Sequence, residues 1–218
     1  MTGRGFEEAR ANLDSLISWW TETGDTARNE ATTRLDLIDE LLLKVLAWPK
    51  AQVTAEDSYA GQYTDYALSD TATRVIVEAK KEGVYFDLPA GVKPGVVRLD
   101  TVCEAADGMS AAVEQVLRYC QDRGVPLAVV CNGHQLVAFV ASRRDGIPPL
   151  KGRALVFPSL STMRESFQVL WDNLSPAGVE LGALERTLGS LSAVTPPEKL
   201  SARVPGYPGS WARNNFST

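Results

Sequence analysis

Apolar side chains recur every three or four residues over the first 47 positions, a period that predicts amphipathic helices. A first helix is expected to include residues 6–20, and Asp25, in the Thr-Gly-Asp break that follows, can cap a second helix. The second helix carries a broad apolar face between residues 31 and 45. We expect it to end near Trp48-Pro49, because proline cannot continue a helix.

Alternating positions then replace the helical period and predict strands over residues 51–56 and 63–69, and a short β-branched run with charge at its end predicts a third strand over 73–79. Turn-forming residues separate these segments, so the strands are expected to form an antiparallel meander. Residues 82–103 are rich in glycine and proline and predict a loop, with one short strand near residues 96–99.

The second half of the chain alternates between helical and strand patterns. Asn132-Gly133 is a typical two-residue hairpin turn, and Gly124 fits the left-handed position that ends a helix. The predicted elements are a helix over 105–122, strands over 126–131, 135–141 and 153–157, a helix over 162–174 and a weaker helix over 177–189.

This order of elements predicts an α/β (α+β) fold, with a mixed central β-sheet flanked by helices and with N-terminal helices. We expect residues 1–190 to form one domain, in which 33–160 carry the motifs described below. Residues 191–218 are rich in proline and glycine and predict a linker or tail of the kind that leads to a further region.

Composition narrows the function classes. The net charge of −5, from 22 Lys+Arg and 27 Asp+Glu, argues against a protein that coats nucleic acid but leaves room for a local basic groove. Three cysteines and one histidine exclude a disulfide framework and a multi-histidine zinc site. Because the sequence shows neither a signal peptide nor a long apolar span, we expect a cytoplasmic protein without a membrane partner.

The most informative residues are Asp65, Glu78 and Lys80. Glu78 and Lys80 lie two apart at the end of an apolar run, so on a strand both side chains point to one face. Two converging carboxylates repel each other unless a cation joins them, and Mg²⁺ is often held by one or two carboxylates with water and phosphate oxygens. A neighbouring lysine can orient the attacking water, so the set is sufficient for metal-assisted phosphodiester hydrolysis.

In this chain twelve residues separate Asp65 from the Glu-Ala-Lys segment that begins at Glu78. This spacing resembles the PD-(D/E)XK nuclease signature. The wider context is similar to the N-terminal nuclease domain of type I restriction enzyme R subunits. The elements that carry this resemblance, over roughly residues 33–142, are Leu41–Trp48, Asp65-Tyr-Ala-Leu, Val77-Glu-Ala-Lys-Lys, the Q-x-x-x-Y element Gln115–Tyr119 and the strand pair within Pro126–Val140.

The resemblance implies a restriction-endonuclease-like core and a Mg²⁺-dependent DNA endonuclease, with Mn²⁺ as an alternative metal, in prokaryotic restriction or anti-phage defence. It implies a DNA partner and a fused or separate ATPase/helicase or regulatory subunit. The residue roles that it implies are metal ligation by Asp65, Glu78 and Glu40, catalysis by Lys80 with Asp65 and Glu78, and DNA positioning by Gln115 and Tyr119. Two departures are visible: Thr64 replaces the proline of the signature, and the chain has no P-loop.

Several alternatives stay open. The charged trio could be a surface ion pair at strand ends, and a nuclease-like module could bind nucleic acid or a partner protein without cleaving. Glu40 could simply pair with Lys44 in the same helix. Residues 110–164, with Lys80 and Lys81, could form a basic face or an ordinary mixed surface.

Other chemically reactive residues have ordinary structural interpretations. Glu56 is expected to face solvent, and His134 is expected to be a solvated turn residue. Cys120 and Cys131 are expected to be small apolar core residues.

Overall fold

A computed structural model describes residues 3–23, 37–59, 61–80, 86–89 and 92–189 of the chain. The predicted cap at Asp25 and the predicted tail lie outside these residues.

In the residues that the structure describes, seven strands form one sheet and confirm the predicted mixed α/β class. They are β1 (Val53–Tyr59), β2 (Gln62–Ser69), β3 (Thr73–Ala79), β4 (Gly95–Arg98), β5 (Leu127–Cys131), β6 (Leu136–Val140) and β7 (Arg153–Phe157). Their order is β1-β2-β3-β5-β6-β7-β4. Within the described chain, β3 and β5 run parallel and the other neighbouring pairs are antiparallel. The strands fall within three residues of the predicted ones, because alternating positions are a direct signal for a half-buried strand and short apolar runs between turn residues are typical of a buried one.

Helices cover both faces of the sheet, as predicted. They are α1 (Gly3–Thr23), α2 (Leu99–Ala105), α3 (Met109–Arg123), α4 (Leu160–Glu165), α5 (Phe167–Leu174), α6 (Pro176–Glu180) and α7 (Ala183–Thr187), together with a π-helical turn at Leu41–Val45. Val75 and Val77 of β3 pack on the face that α1, the π-helical turn and α4–α7 cover. Ile76, between them, packs on the face that α2 and α3 cover.

The helix predicted over 105–122 is α3, which begins at Met109. The prediction of a loop over 82–103 is wrong at its end, where α2 (Leu99–Ala105) forms, and Gly108 with its left-handed backbone (φ +78°) separates α2 from α3. Two other predicted helices prove to be pairs. Gly182 (φ +66°) divides the helix predicted over 177–189 in the same way. The helix predicted over 162–174 is divided at Ser166, and Ser159 caps its first half in a capping box with Thr162.

The turn between β5 and β6 is shifted by one residue from the predicted Asn132-Gly133 turn. Its central residues are Gly133 and His134, because the Asn132 side chain accepts the Gln135 amide (2.8 Å) and the Gln135 carbonyl accepts the Asn132 amide (3.2 Å). Gly124 has the predicted left-handed conformation (φ +66°) after α3.

The helical segment that precedes β1 ends as the sequence predicts. Ala47 has a positive φ of 55°, and Pro49 follows. The Trp48 indole donates to the Leu174 carbonyl at 2.9 Å, which ties this segment to α5. None of the helices in the described residues has the length and apolar character that a bilayer crossing requires.

Candidate active site

The predicted site lies where β2 and β3 separate. The backbone pairing of these strands runs from Leu68↔Val75 to Tyr66↔Val77, and one step further along the same register Asp65 falls opposite Glu78. Here the Ala79 amide donates to a side chain of β2 and not to its backbone: Asp65 Oδ2 accepts this hydrogen bond at 2.8 Å. The carboxylate of Asp65 is therefore held in the gap between the two strands.

The other side of β3 remains paired where β2 leaves. The parallel ladder with β5 extends to Ala79↔Cys131, and the Lys80 amide continues it by donating to the Cys131 carbonyl at 2.8 Å. The backbone of residues 78–80 is therefore fixed by the centre of the sheet, which is apolar and buried on both sides in β5.

Glu78 is a buried carboxylate, with a relative exposure of 1%. Lys80 Nζ lies 2.5 Å from Glu78 Oε1, and the Lys80 side chain is itself only 13% exposed. A buried ion must be paired and hydrogen-bonded to be tolerated, because desolvation costs several kcal/mol. The two side chains thus occupy one face of the β3 end, as the spacing predicts.

Helix α3 brings Gln115 and Tyr119 to the same place. Lys80 Nζ donates to Gln115 Oε1 at 3.1 Å, and Gln115 Nε2 donates to the Tyr119 hydroxyl at 3.2 Å. The two residues are four apart and share a face of the helix, whose other side packs Val113, Val116 and Cys120 into the core. A continuous polar chain therefore runs from Glu78 through Lys80 to the helix.

Glu40 is not brought to this cluster by any contact of the described residues. It pairs with Lys44 at 2.8 Å, one helical turn away, and its side chain is 39% exposed. The apolar residues around it in the chain, Leu37, Ile38 and Leu41, pack on the face of the sheet opposite to α3. The structure therefore shows the helical ion pair and leaves metal ligation by Glu40 as a prediction.

The described residues place two carboxylates at this site, those of Asp65 and Glu78. Among the described residues no group of three or more histidine, cysteine, aspartate or glutamate side chains is arranged to hold an ion. Asp65 and Glu78 alone fit Mg²⁺, which keeps several waters and commonly takes one or two carboxylates. Such an ion would compete with the Lys80 ammonium for Glu78 Oε1.

Arg123, which the sequence suggests only as a basic surface position, extends the polar row on α3 by one turn. Its guanidinium pairs with Asp57 Oδ2, donates to Thr64 Oγ1 at 3.4 Å, and lies 5.4 Å from the centre of the Tyr59 ring. The sequence does indicate that Arg123 shares a helix face with Gln115 and Tyr119, since these residues recur at a spacing of four.

A broad basic face is not supported by the pairing of the basic residues in 110–164. Aspartates pair with four of the seven cations that the sequence places there: Arg123 with Asp57, Arg143 with Asp145, Arg164 with Asp14, and Lys151 with Asp100, which Arg98 shares. Lys81, the other lysine of the predicted face, lies outside the described residues. The surface in this part of the chain is therefore mixed in charge.

Three of the ordinary interpretations are confirmed and one is wrong. Glu56 is exposed, and Cys120 and Cys131 are buried, where desolvation raises the pKa of each thiol to about 12. His134 is not a solvated turn residue, because its ring stacks on Trp20 at 5.0 Å and is partly buried. This burial lowers the pKa of His134.

Comparisons of the chain with models of protein families, with curated proteins and with solved structures give no significant match.

Proposed function

We propose that the chain is a Mg²⁺-dependent DNA endonuclease with a restriction-endonuclease-like core of the PD-(D/E)XK type. The observation that carries this proposal is the position of Asp65, which lies opposite Glu78 in the strand register and bonds to the Ala79 amide, next to the Glu78–Lys80 pair. The contact between Lys80 and Gln115 supports it further, because it joins the Q-x-x-x-Y element of α3 to the charged trio.

The residues divide the chemistry among them. Asp65 and Glu78 would hold the cation, and a bound Mg²⁺ would supply an acidified water and a positive charge beside the phosphate. Lys80 hydrogen-bonds the attacking water or the phosphate oxygen on which charge develops. Gln115 orients the Lys80 ammonium, and Tyr119 supports Gln115, so that both can face the cleaved strand.

The test is cleavage of supercoiled plasmid DNA by the purified chain with Mg²⁺ or Mn²⁺. We expect Asp65→Ala and Lys80→Ala to reduce nicking by at least about a hundredfold, since each removes a group used in the transition state. Asp100→Ala is the control, because that aspartate pairs with Arg98 and Lys151 at a different place. Unchanged nicking by Asp65→Ala and Lys80→Ala would show that the catalytic assignment is wrong.

Glu40 enters the proposal as a third metal ligand that the resemblance implies. Glu40→Gln tests that role, since it removes the carboxylate charge and keeps the side-chain size. An increased Mg²⁺ requirement would support ligation, whereas an unchanged requirement would leave Glu40 as the i,i+4 partner of Lys44.

A second candidate is a nuclease-like module that binds nucleic acid or a partner protein without cleaving. The short Lys80–Glu78 pair favours it, because these two charges already compensate each other. Thermal unfolding with and without Mg²⁺ separates the two functions. A shift that is lost in Asp65→Ala supports the nuclease, and the absence of any shift supports the module.

The biological setting follows from the resemblance alone. We propose prokaryotic restriction or anti-phage defence, in which a fused or separate ATPase/helicase or regulatory subunit controls the cleavage of foreign DNA.

A further inference from the structure

The β1–β2 hairpin has an irregular backbone directly across from Asp65. The pairs Ala55↔Tyr66 and Asp57↔Thr64 follow one register, which leaves Glu56 opposite Asp65 between them. Glu56 has a φ of +52°, a left-handed conformation that is unusual for a residue with a side chain and costs about 1 kcal/mol or more. Contacts from outside the hairpin backbone would help to offset this cost.

Arg123 contacts both strands of the hairpin next to Glu56. Its Nη2 pairs with Asp57, the residue after Glu56, and its Nη1 donates to Thr64, the residue before Asp65. Thr64 is only 2% exposed, and its hydroxyl also donates to the Asp57 carbonyl at 3.3 Å. The three side chains thus form one clamp that joins α3 to both strands of the hairpin.

The clamp acts where β2 is no longer paired with β3 and only β1 still pairs with it. The pairing of β2 with β3 stops at Tyr66↔Val77, so Thr64 and Asp65 lie beyond the ladder, and β1 is the outermost strand of the sheet. The Tyr59 ring, 5.4 Å from the Arg123 guanidinium, adds a cation–π contact near the hairpin tip.

We propose that Arg123 is a positioning residue that fixes the Asp65 carboxylate between β2 and β3. Its catalytic consequence rests on the proposed function, since a displaced Asp65 would bind the cation poorly. The positioning itself is independent of that function, because the Ala79 amide reports on the carboxylate through its 2.8 Å hydrogen bond to Asp65 Oδ2.

The decisive measurement is residue-resolved amide hydrogen exchange by NMR on the full chain. The Lys80 amide, which donates to the Cys131 carbonyl on the other side of β3, is the internal reference for any general loss of stability. In Arg123→Ala we expect the Ala79 amide to exchange about tenfold faster relative to Lys80, as loss of one hydrogen bond implies. Arg123→Lys should restore part of this protection, because it retains a cation beside Asp57.

Arg143→Ala is the matched control. Arg143 pairs with Asp145 and is 5% exposed, so its removal also breaks a buried Arg–Asp pair, but in the loop after β6. An unchanged ratio of Ala79 to Lys80 exchange in Arg123→Ala would overturn the proposal, as would an equal change in Arg143→Ala.

Cleavage gives the second readout. Where the wild-type chain cleaves DNA, Arg123→Ala should raise the Mg²⁺ concentration for half-maximal rate about tenfold, and Arg143→Ala should not. A wild-type chain that does not cleave would contradict the proposed function, while the exchange ratio would still decide whether Arg123 positions Asp65.

Discussion

Glu78 is the residue at which stability and the proposed chemistry conflict most clearly. A carboxylate with 1% exposure at the end of an apolar run is tolerated because Lys80 pairs with it at 2.5 Å. A buried ion pair can nevertheless be replaced by apolar side chains of similar volume with little loss or even a gain in stability. The pair therefore suits a role in binding or catalysis better than a role in folding.

The contribution of the Glu78–Lys80 pair to the free energy of unfolding can be measured by urea unfolding. Lys80→Met should lower the free energy of unfolding by about 3–5 kcal/mol, because it removes one partner of a buried ion pair. The double variant Glu78→Leu/Lys80→Met should recover most of that loss, or exceed the wild type, because no buried charge remains in the pair. A double variant that is as unstable as the single one would show that the ion pair is required for folding.

At the scale of the elements, the turn between β5 and β6 fixes the helical segment before β1. A β-carbon added at Gly133 would lie 2.6 Å from Leu37 Cβ, and the φ of +94° requires glycine in addition. The same turn stacks His134 on Trp20 of α1. One tight turn thus sets the distance between the sheet and two helical segments.

Gly133→Ala should therefore be more destabilising than the backbone conformation alone implies. We expect a loss of about 2–4 kcal/mol, which combines strain at a positive φ with overpacking against Leu37. Gly146→Ala is the control, since Gly146 also has a positive φ of 76° but has open space around its β-position. It should cost only about 1 kcal/mol. Equal losses in the two variants, measured by denaturant unfolding, would refute the packing contribution.

The sequence was informative where a single local signal decides the structure. Alternation and short apolar runs predicted the strands, and the four-residue spacing of Gln115 and Tyr119 predicted their shared face. Sequence patterns failed where a side chain competes with the backbone, as Asn132 does at the shifted turn. They also missed the clamp of Arg123, because Asp57 and Thr64 come close to that residue only through the tertiary fold.

At the scale of the whole molecule, charge sets the expected mode of contact with DNA. The net charge is −5, and aspartates pair with Arg123, Arg143, Lys151 and Arg164, so fewer cations are left to neutralise phosphates in residues 110–164. Under the proposed function, a cation held by Asp65 and Glu78 would supply much of the local attraction. DNA affinity should then depend on the metal more than on a basic surface.

Fluorescence anisotropy with a cleavage-resistant phosphorothioate oligonucleotide tests this dependence. For the wild type we expect Mg²⁺ to tighten binding about tenfold relative to EDTA, which corresponds to about 1.4 kcal/mol. In Asp65→Asn, which keeps the side-chain size and removes the charge, Mg²⁺ should only screen the phosphates and leave binding unchanged or weaker. Equal tightening in both proteins would place the metal-dependent contact outside the Asp65 site, and strong binding in EDTA would indicate that a basic surface carries the affinity after all.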